Sequence, residues 1–285
     1  MKRTIIFAAV IATARLAGPL AADWDPGDGH KMHHPQLPDL EPTGLNVYGS
    51  DTQTYAHQVY LADDWRCTGD GPVTDIHIWG SWLDDAFDHG NPEGFVGFHL
   101  FIFDDQPDPD GPGPEYSMPR EPHWDMGFAP PDDPGSGLKY QVRRDATSQE
   151  GFYDPVEDAV IGTDTQVWQY NFTIDEADAF WQEAGNIYWL GVQAIVDTPQ
   201  MPLWGWKTSL DHFNDDATWG EGISGQDPWG WNELRYPDAP PFQGAANPPL
   251  PGDSMDLAFV ITPEPCTLLI LGGGLVGIVA ARRRR

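Results

Sequence analysis

Through the middle of this chain every apolar stretch is short and is closed off by proline, glycine or aspartate. The 285 residues include 28 Pro and 31 Gly. Such punctuation leaves room for many short strands and little room for long helices. Residues 73–83 alternate, with Ile76, Ile78 and Trp82 on one face and Asp75, His77 and Ser81 on the other. Residues 95–103 repeat the pattern through Phe98, Leu100 and Ile102. Further strands are predicted at 138–144, 166–174, 187–196, 203–209 and 255–261. One short helix is predicted from the capping-box spacing of Thr173 and Glu176, with Ala177, Phe180, Trp181 and Ala184 at helical intervals and Gly185 as the stop. Residues 104–114, 119–137 and 232–252 read as irregular loops. The expected fold class is all-β, a jelly-roll-like β-sandwich with one short helix.

The two ends differ from this body. Residues 1–22 read as a secretory signal peptide: Lys2 and Arg3, an apolar run over 5–14, and small residues up to Leu20-Ala21-Ala22. Arg15 interrupts the apolar region early. At the other end, Pro263, Glu264 and Pro265 precede sixteen residues without charge, then Arg282, Arg283, Arg284 and Arg285. Sixteen helical residues span about 24 Å. That approaches a bilayer core of about 30 Å once terminal arginines snorkel. The basic residues at both ends predict that both stay cytoplasmic and the bulk lies outside. Domains are therefore expected at 1–22 (signal peptide), 23–56 (irregular acidic lead-in), 57–262 (ectodomain) and 263–285 (sorting and anchor segment).

A Pro-Glu-Pro triplet, a small residue and Thr267, a Leu/Gly-rich helix and an arginine cluster together resemble the PEP-CTERM sorting signal. The resemblance covers residues 262–285 and departs from the usual pattern at Cys266. It implies an exosortase-type membrane protease as partner, with the Sec machinery upstream. It also implies an inner-membrane anchor before processing and a cell-surface or extracellular-matrix address afterwards, in bacteria that make exopolysaccharide. The body resembles a class of exported ectodomains with the same tail, to which no activity attaches. The matching stretches run from Trp24 to His33, from Leu61 to Trp65, and from Gly205 to His212.

Charge narrows the partners. Of 15 Lys and Arg, seven lie in the two end segments, and only one of the 44 Asp and Glu does, so residues 23–262 carry 8 basic and 43 acidic side chains, a net of −35. That charge repels phosphate backbones, so no nucleic acid is expected. Only two cysteines exist, Cys67 and Cys266, so the fold must hold by its core.

Four constellations are candidates for chemistry. His30, His33 and His34, beside Asp23, Asp25 and Asp28, have donor types that suit a transition metal. Asp104, Asp105, Asp108 and Asp110 form an acidic loop of calcium type, although the EF-hand pattern fails at its first and last positions. Asp211, His212, Asp215 and Asp216 follow Lys207 and contain acid, base and ligand types. Thirteen tryptophans form the fourth. Trp219, Trp229 and Trp231 are the candidates for stacking on sugar rings, and the rest are expected in the core. No Gly-x-Ser-x-Gly, His-Glu-x-x-His, Cys-x-x-Cys or phosphate loop is present. The expectation is a non-enzymatic surface or matrix protein associated with exopolysaccharide, requiring no cofactor. The alternatives are a calcium-assisted carbohydrate-binding module and, behind it, a secreted hydrolase whose two carboxylates sequence cannot pick out.

Overall fold

A computed structural model describes residues 23–52, 55, 57–87, 95–108, 116–197, 202–222 and 230–262. The signal peptide, the sorting tail with its seven named residues, Asp110 and Trp229 lie outside the described residues. The chain is all-β. Its strands are β1 (Leu45–Tyr48), β2 (Ser50–Thr52), β3 (Val59–Arg66), β4 (Gly71–Val73) and β5 (Asp75–Trp82). Next come β6 (Phe95–Gln106), β7 (Met118–Phe128), β8 (Gln141–Asp154), β9 (Ala159–Thr173), β10 (Phe180–Gln182) and β11 (Ile187–Asp197). The last are β12 (Trp204–Ser209), β13 (Thr218–Glu221), β14 (Asn232–Glu233), β15 (Asp256–Leu257) and β16 (Phe259–Ile261).

The first large sheet has the order β15-β12-β1-β8-β9-β5-β16, and β12 also pairs with β5. The pairings β12–β1–β8–β9–β5–β12 therefore run in a closed ring. Gly205 makes the closure feasible: a Cβ there would meet the Asn46 carbonyl carbon at 2.9 Å and the Phe152 ring at 3.0 Å. The second sheet has the order β14-β13-β3-β11-β6-β7, with β2 on β11. β1–β8 and β2–β11 are parallel, while the other strand pairings are antiparallel.

The two sheets meet through aromatic rings. Phe98 of the second sheet lies 4.9 Å from Tyr170 and 5.1 Å from Trp204 of the first, centroid to centroid. T-shaped and tilted contacts of this kind add to the burial of large apolar area. Trp65, Trp79, Trp82, Trp189, Trp204 and Trp206 are fully buried, as expected for most tryptophans. A smaller cluster on the second sheet gathers Tyr60, Ala62, Phe101, Phe103, Trp189 and Trp231.

The structure corrects the predicted helix. Among the described residues there is no α-helix, only a 3-10 turn at Leu83–Asp85. Asp175 and Asp178 close a turn, and Phe180–Gln182 pairs with Gly71–Val73 as a two-stranded ribbon. A helix this short does not sustain itself in water. The ribbon instead gains the Trp65 indole N–H bond to Gln182 Oε1, 3.2 Å, and the Phe180–Tyr188 ring contact. Trp181, placed by that spacing on one helix face with Ala177, Phe180 and Ala184, is a strand residue 61% exposed. All four segments read as irregular also hold strand residues: β6 runs into 104–114, and 232–252 opens with β14. Residues 23–56 contain β1 and β2, and 119–137 begins inside β7.

The lead-in runs along the last strands. The Lys31 amide donates to the Ile261 carbonyl at 2.7 Å, and that of Asp39 donates to Thr208 at 2.8 Å. Asp63, fully buried on β3, accepts from the Gln36 amide side chain (2.9 Å), the Leu257 N–H (2.6 Å) and the Asp64 N–H (2.7 Å). One carboxylate thus ties the lead-in and the last strands to the second sheet. Among the described residues, no helix is long and apolar enough to cross a membrane.

Candidate functional site: an aromatic cleft

An open cleft of about 560 Å³ lies where β13 and β14 meet the loops around residues 155 and 236. Strand pairing sets its wall: Trp219 faces Asn232 and Thr218 faces Glu233 across the β13–β14 ladder. Gly220, next on β13, leaves room for Tyr60, whose ring a Cβ would meet at 2.3 Å. Trp219 is half-buried and shares the lining with Tyr116, Tyr153 and Tyr236. The hydroxyls of two of these are already engaged. Tyr116 donates to the Trp231 carbonyl at 3.1 Å, and Tyr153 donates to Asp158 Oδ1 at 3.0 Å. Tyr153 and Tyr236 are buried, so the accessible ring surface of the cleft comes from Trp219 and Tyr116, both half-buried.

The polar side of the cleft is an ion-pair fork. Arg235 reaches Glu233 through Nη2 at 2.9 Å and Nε at 3.3 Å, and Asp216 Oδ2 through Nη2 at 3.0 Å. Bidentate guanidinium–carboxylate pairing fixes both groups geometrically. Burial raises the Glu233 pKa, and Arg235 beside it opposes the shift. A carboxylate gripped in this way suits accepting hydrogen bonds from hydroxyls better than cycling a proton.

The sequence-derived candidates are spread across the fold. Trp219 is the one that lines this cleft. Trp231 is a core residue, 9% exposed and packed edge-on to Tyr60 at 5.0 Å, so the structure corrects its assignment to a sugar-binding surface. Its indole plugs the smaller aromatic cluster. Asp104 and Asp105 divide between two tasks, because successive strand residues face opposite sides. Asp104 pairs with His123 at 2.7 Å, whereas Asp105 accepts from the Trp189 indole at 2.9 Å. Asp108 is exposed. His30 Nδ1 lies 2.8 Å from the Met32 carbonyl. The His33 ring stacks on Phe213 at 3.6 Å, and burial pushes its pKa down to about 3. Among the described residues, no group of three or more His, Cys, Asp or Glu is arranged to hold a metal ion.

His212 sits in a second open cavity of about 520 Å³ with Ser254 and Asp256. These residue types suggest a catalytic triad, but the geometry differs. Asp256 (3.0 Å) and Ser254 (3.2 Å) both approach the same ring nitrogen, Nδ1. A relay needs the acid and the serine on opposite nitrogens. Ser254 instead donates to Asp216.

The cleft missed by sequence reasoning is assembled from four separate stretches, at residues 116, 153–158, 219 and 232–252. Only Trp219 signalled it. The class of protein is defined first by the other end of the chain. Residues 262–285 match the PEP-CTERM protein-sorting motif, which marks an exported protein, transiently anchored through its C-terminus and processed by exosortase. Residues 32–262 match DUF7901, a domain of unknown function, and the chain belongs to that family. No curated protein and no solved structure matches the chain.

Proposed function

We propose that this chain is a cell-surface or extracellular-matrix protein without catalytic activity whose ectodomain holds exopolysaccharide in the Trp219 cleft. The observation that carries the reading is the half-buried Trp219 beside a fixed carboxylate–guanidinium fork in one open site. Sugar rings present apolar C–H faces that stack on Trp and Tyr, and their hydroxyls donate to Glu and Asn oxygens. In this reading the two sheets are the layers of a jelly-roll-like sandwich, a signal peptide directs Sec export, and the tail is the membrane helix that exosortase removes.

Retention on a panel of acidic and neutral polysaccharides tests the site. Trp219→Ala should weaken retention by roughly tenfold, equivalent to about 1.4 kcal/mol, with an unchanged unfolding midpoint. Equal retention of variant and parent, or none by either, would remove the cleft from the proposal. Calcium assistance is the second reading. A chelator arm in the same panel decides it.

Processing is tested separately. In cells with the sorting protease the protein should lose mass and leave the membrane fraction. Identical mass and location with and without that protease would defeat the sorting half of the proposal.

A further inference from the structure

The ring of β12, β1, β8, β9 and β5 encloses a polar group that the cleft does not use. Lys207 is fully buried on β12, directly opposite Asn46 on β1. Glu150 on β8 touches both: its Oε2 lies 2.7 Å from Lys207 Nζ and accepts from Asn46 Nδ2 at 2.9 Å. Asp164 on β9 accepts from the same Asn46 nitrogen at 3.0 and 3.1 Å. All four side chains are at most 2% exposed. Neither Asn46 Oδ1 nor Glu150 Oε1 has a hydrogen-bond partner among the described residues. Gly44 leaves the space that the lysine tip fills, since a Cβ there would strike Nζ.

An amine and a carboxamide held beside one shared carboxyl, with water shut out, are the reactants of an amide exchange. We propose that Lys207 and Asn46 join in an autocatalytic isopeptide bond, with Glu150 carrying the proton. The neutral Lys207 amine attacks Asn46 Cγ and the Nζ–Cγ bond forms. Glu150 takes a proton from Nζ and delivers one to Nδ2, the Cγ–Nδ2 bond breaks, and ammonia leaves. Nothing is oxidised or reduced, and no co-reactant is needed.

The electrostatics favour the reactive forms. Burial lowers the Lys207 pKa against the pull of Glu150, and burial raises that of Glu150. Both shifts move the pair toward neutral amine and neutral acid, which is the pairing this exchange requires. Asp164, pushed up to about 8 by burial, is protonated at neutral pH and so adds no negative charge that would hold Lys207 as a cation. The product would lock β1 to β12 covalently and hold the ring shut outside the cell.

A tryptic map of the denatured full chain by mass spectrometry tests the bond. The expected result is no cleavage after Lys207 and one branched product joining the segments that carry Asn46 and Lys207, lighter than their sum by one ammonia. In Glu150→Gln the two segments should separate. Linear peptides with cleavage after Lys207 in the parent protein would overturn the proposal, and this result stands even if the variant fails to fold. A single looped peptide spanning residues 145–235, lighter by water, would place the bond on Asp164 or Glu150 and overturn the assignment to Asn46. A bond that persists in Glu150→Gln would overturn the role given to Glu150.

Discussion

Asp63→Ala should destabilise the domain by roughly 3 kcal/mol or more, since each buried donor left unpaired costs about 1–3 kcal/mol. Three N–H groups converge on this carboxylate, from Gln36, Asp64 and Leu257. Alanine would strand the Asp64 and Leu257 N–H groups and leave the Gln36 side chain only the Leu257 carbonyl at 3.2 Å, in a site with no solvent access. Asp63→Asn keeps one acceptor oxygen but turns an NH2 toward the remaining donors, so an intermediate loss is expected. Urea unfolding monitored by tryptophan fluorescence reads the effect. Glu121→Ala, at an exposed position, is the control and should move stability by no more than about 0.5 kcal/mol. A midpoint for Asp63→Ala equal to the control would show that Asp63 does not tie the segments together.

The second large effect is a pH dependence at Asp164. Its pKa rises from 3.8 to about 8 through burial, with Glu150 adding to the shift and the Ser81 hydroxyl opposing it. Between those values the folded chain holds a proton that the unfolded chain has lost. Stability from this group is therefore complete below the unfolded pKa and falls as pH rises, by about 1.4 kcal/mol per pH unit, until the folded pKa is passed. Asn at this position imitates the protonated acid and has nothing to titrate. The stability of Asp164→Asn relative to the parent should thus climb steadily between about pH 4 and about pH 8 and then level off. Urea midpoints at a series of pH values measure it. Parallel profiles would mean that Asp164 ionises as readily inside the ring as in the unfolded chain.

These two positions also mark where the sequence was readable. The run at 187–196 is apolar apart from Gln193 and becomes β11, between β3 and β6 in the second sheet. β3, its neighbour, was not recognised, because Asp63 and Asp64 sit in its middle and read as solvent-facing. What buries them is supplied by partners that sequence cannot bring near, Gln36 and Leu257 for Asp63 and the Asn214 amide for Asp64. β7 was concealed by Pro119 and Pro122. Proline is tolerated there because β7 is an edge strand, and the register with β6 slips close to both residues. The helix was the opposite error, a local pattern overruled by pairing to a distant segment. In the cleft, Trp219 was legible by residue type alone. Tyr116, Tyr153, Glu233 and Arg235 were not, since no spacing links them.

The hydrogen bond from Lys31 to Ile261 has a consequence for delivery. This donor finds its acceptor 230 residues further along the chain, so the contact closes only once the last strand is in place. In an exported protein the seam between the lead-in and the first sheet is thus sealed by the last piece of the domain to be made.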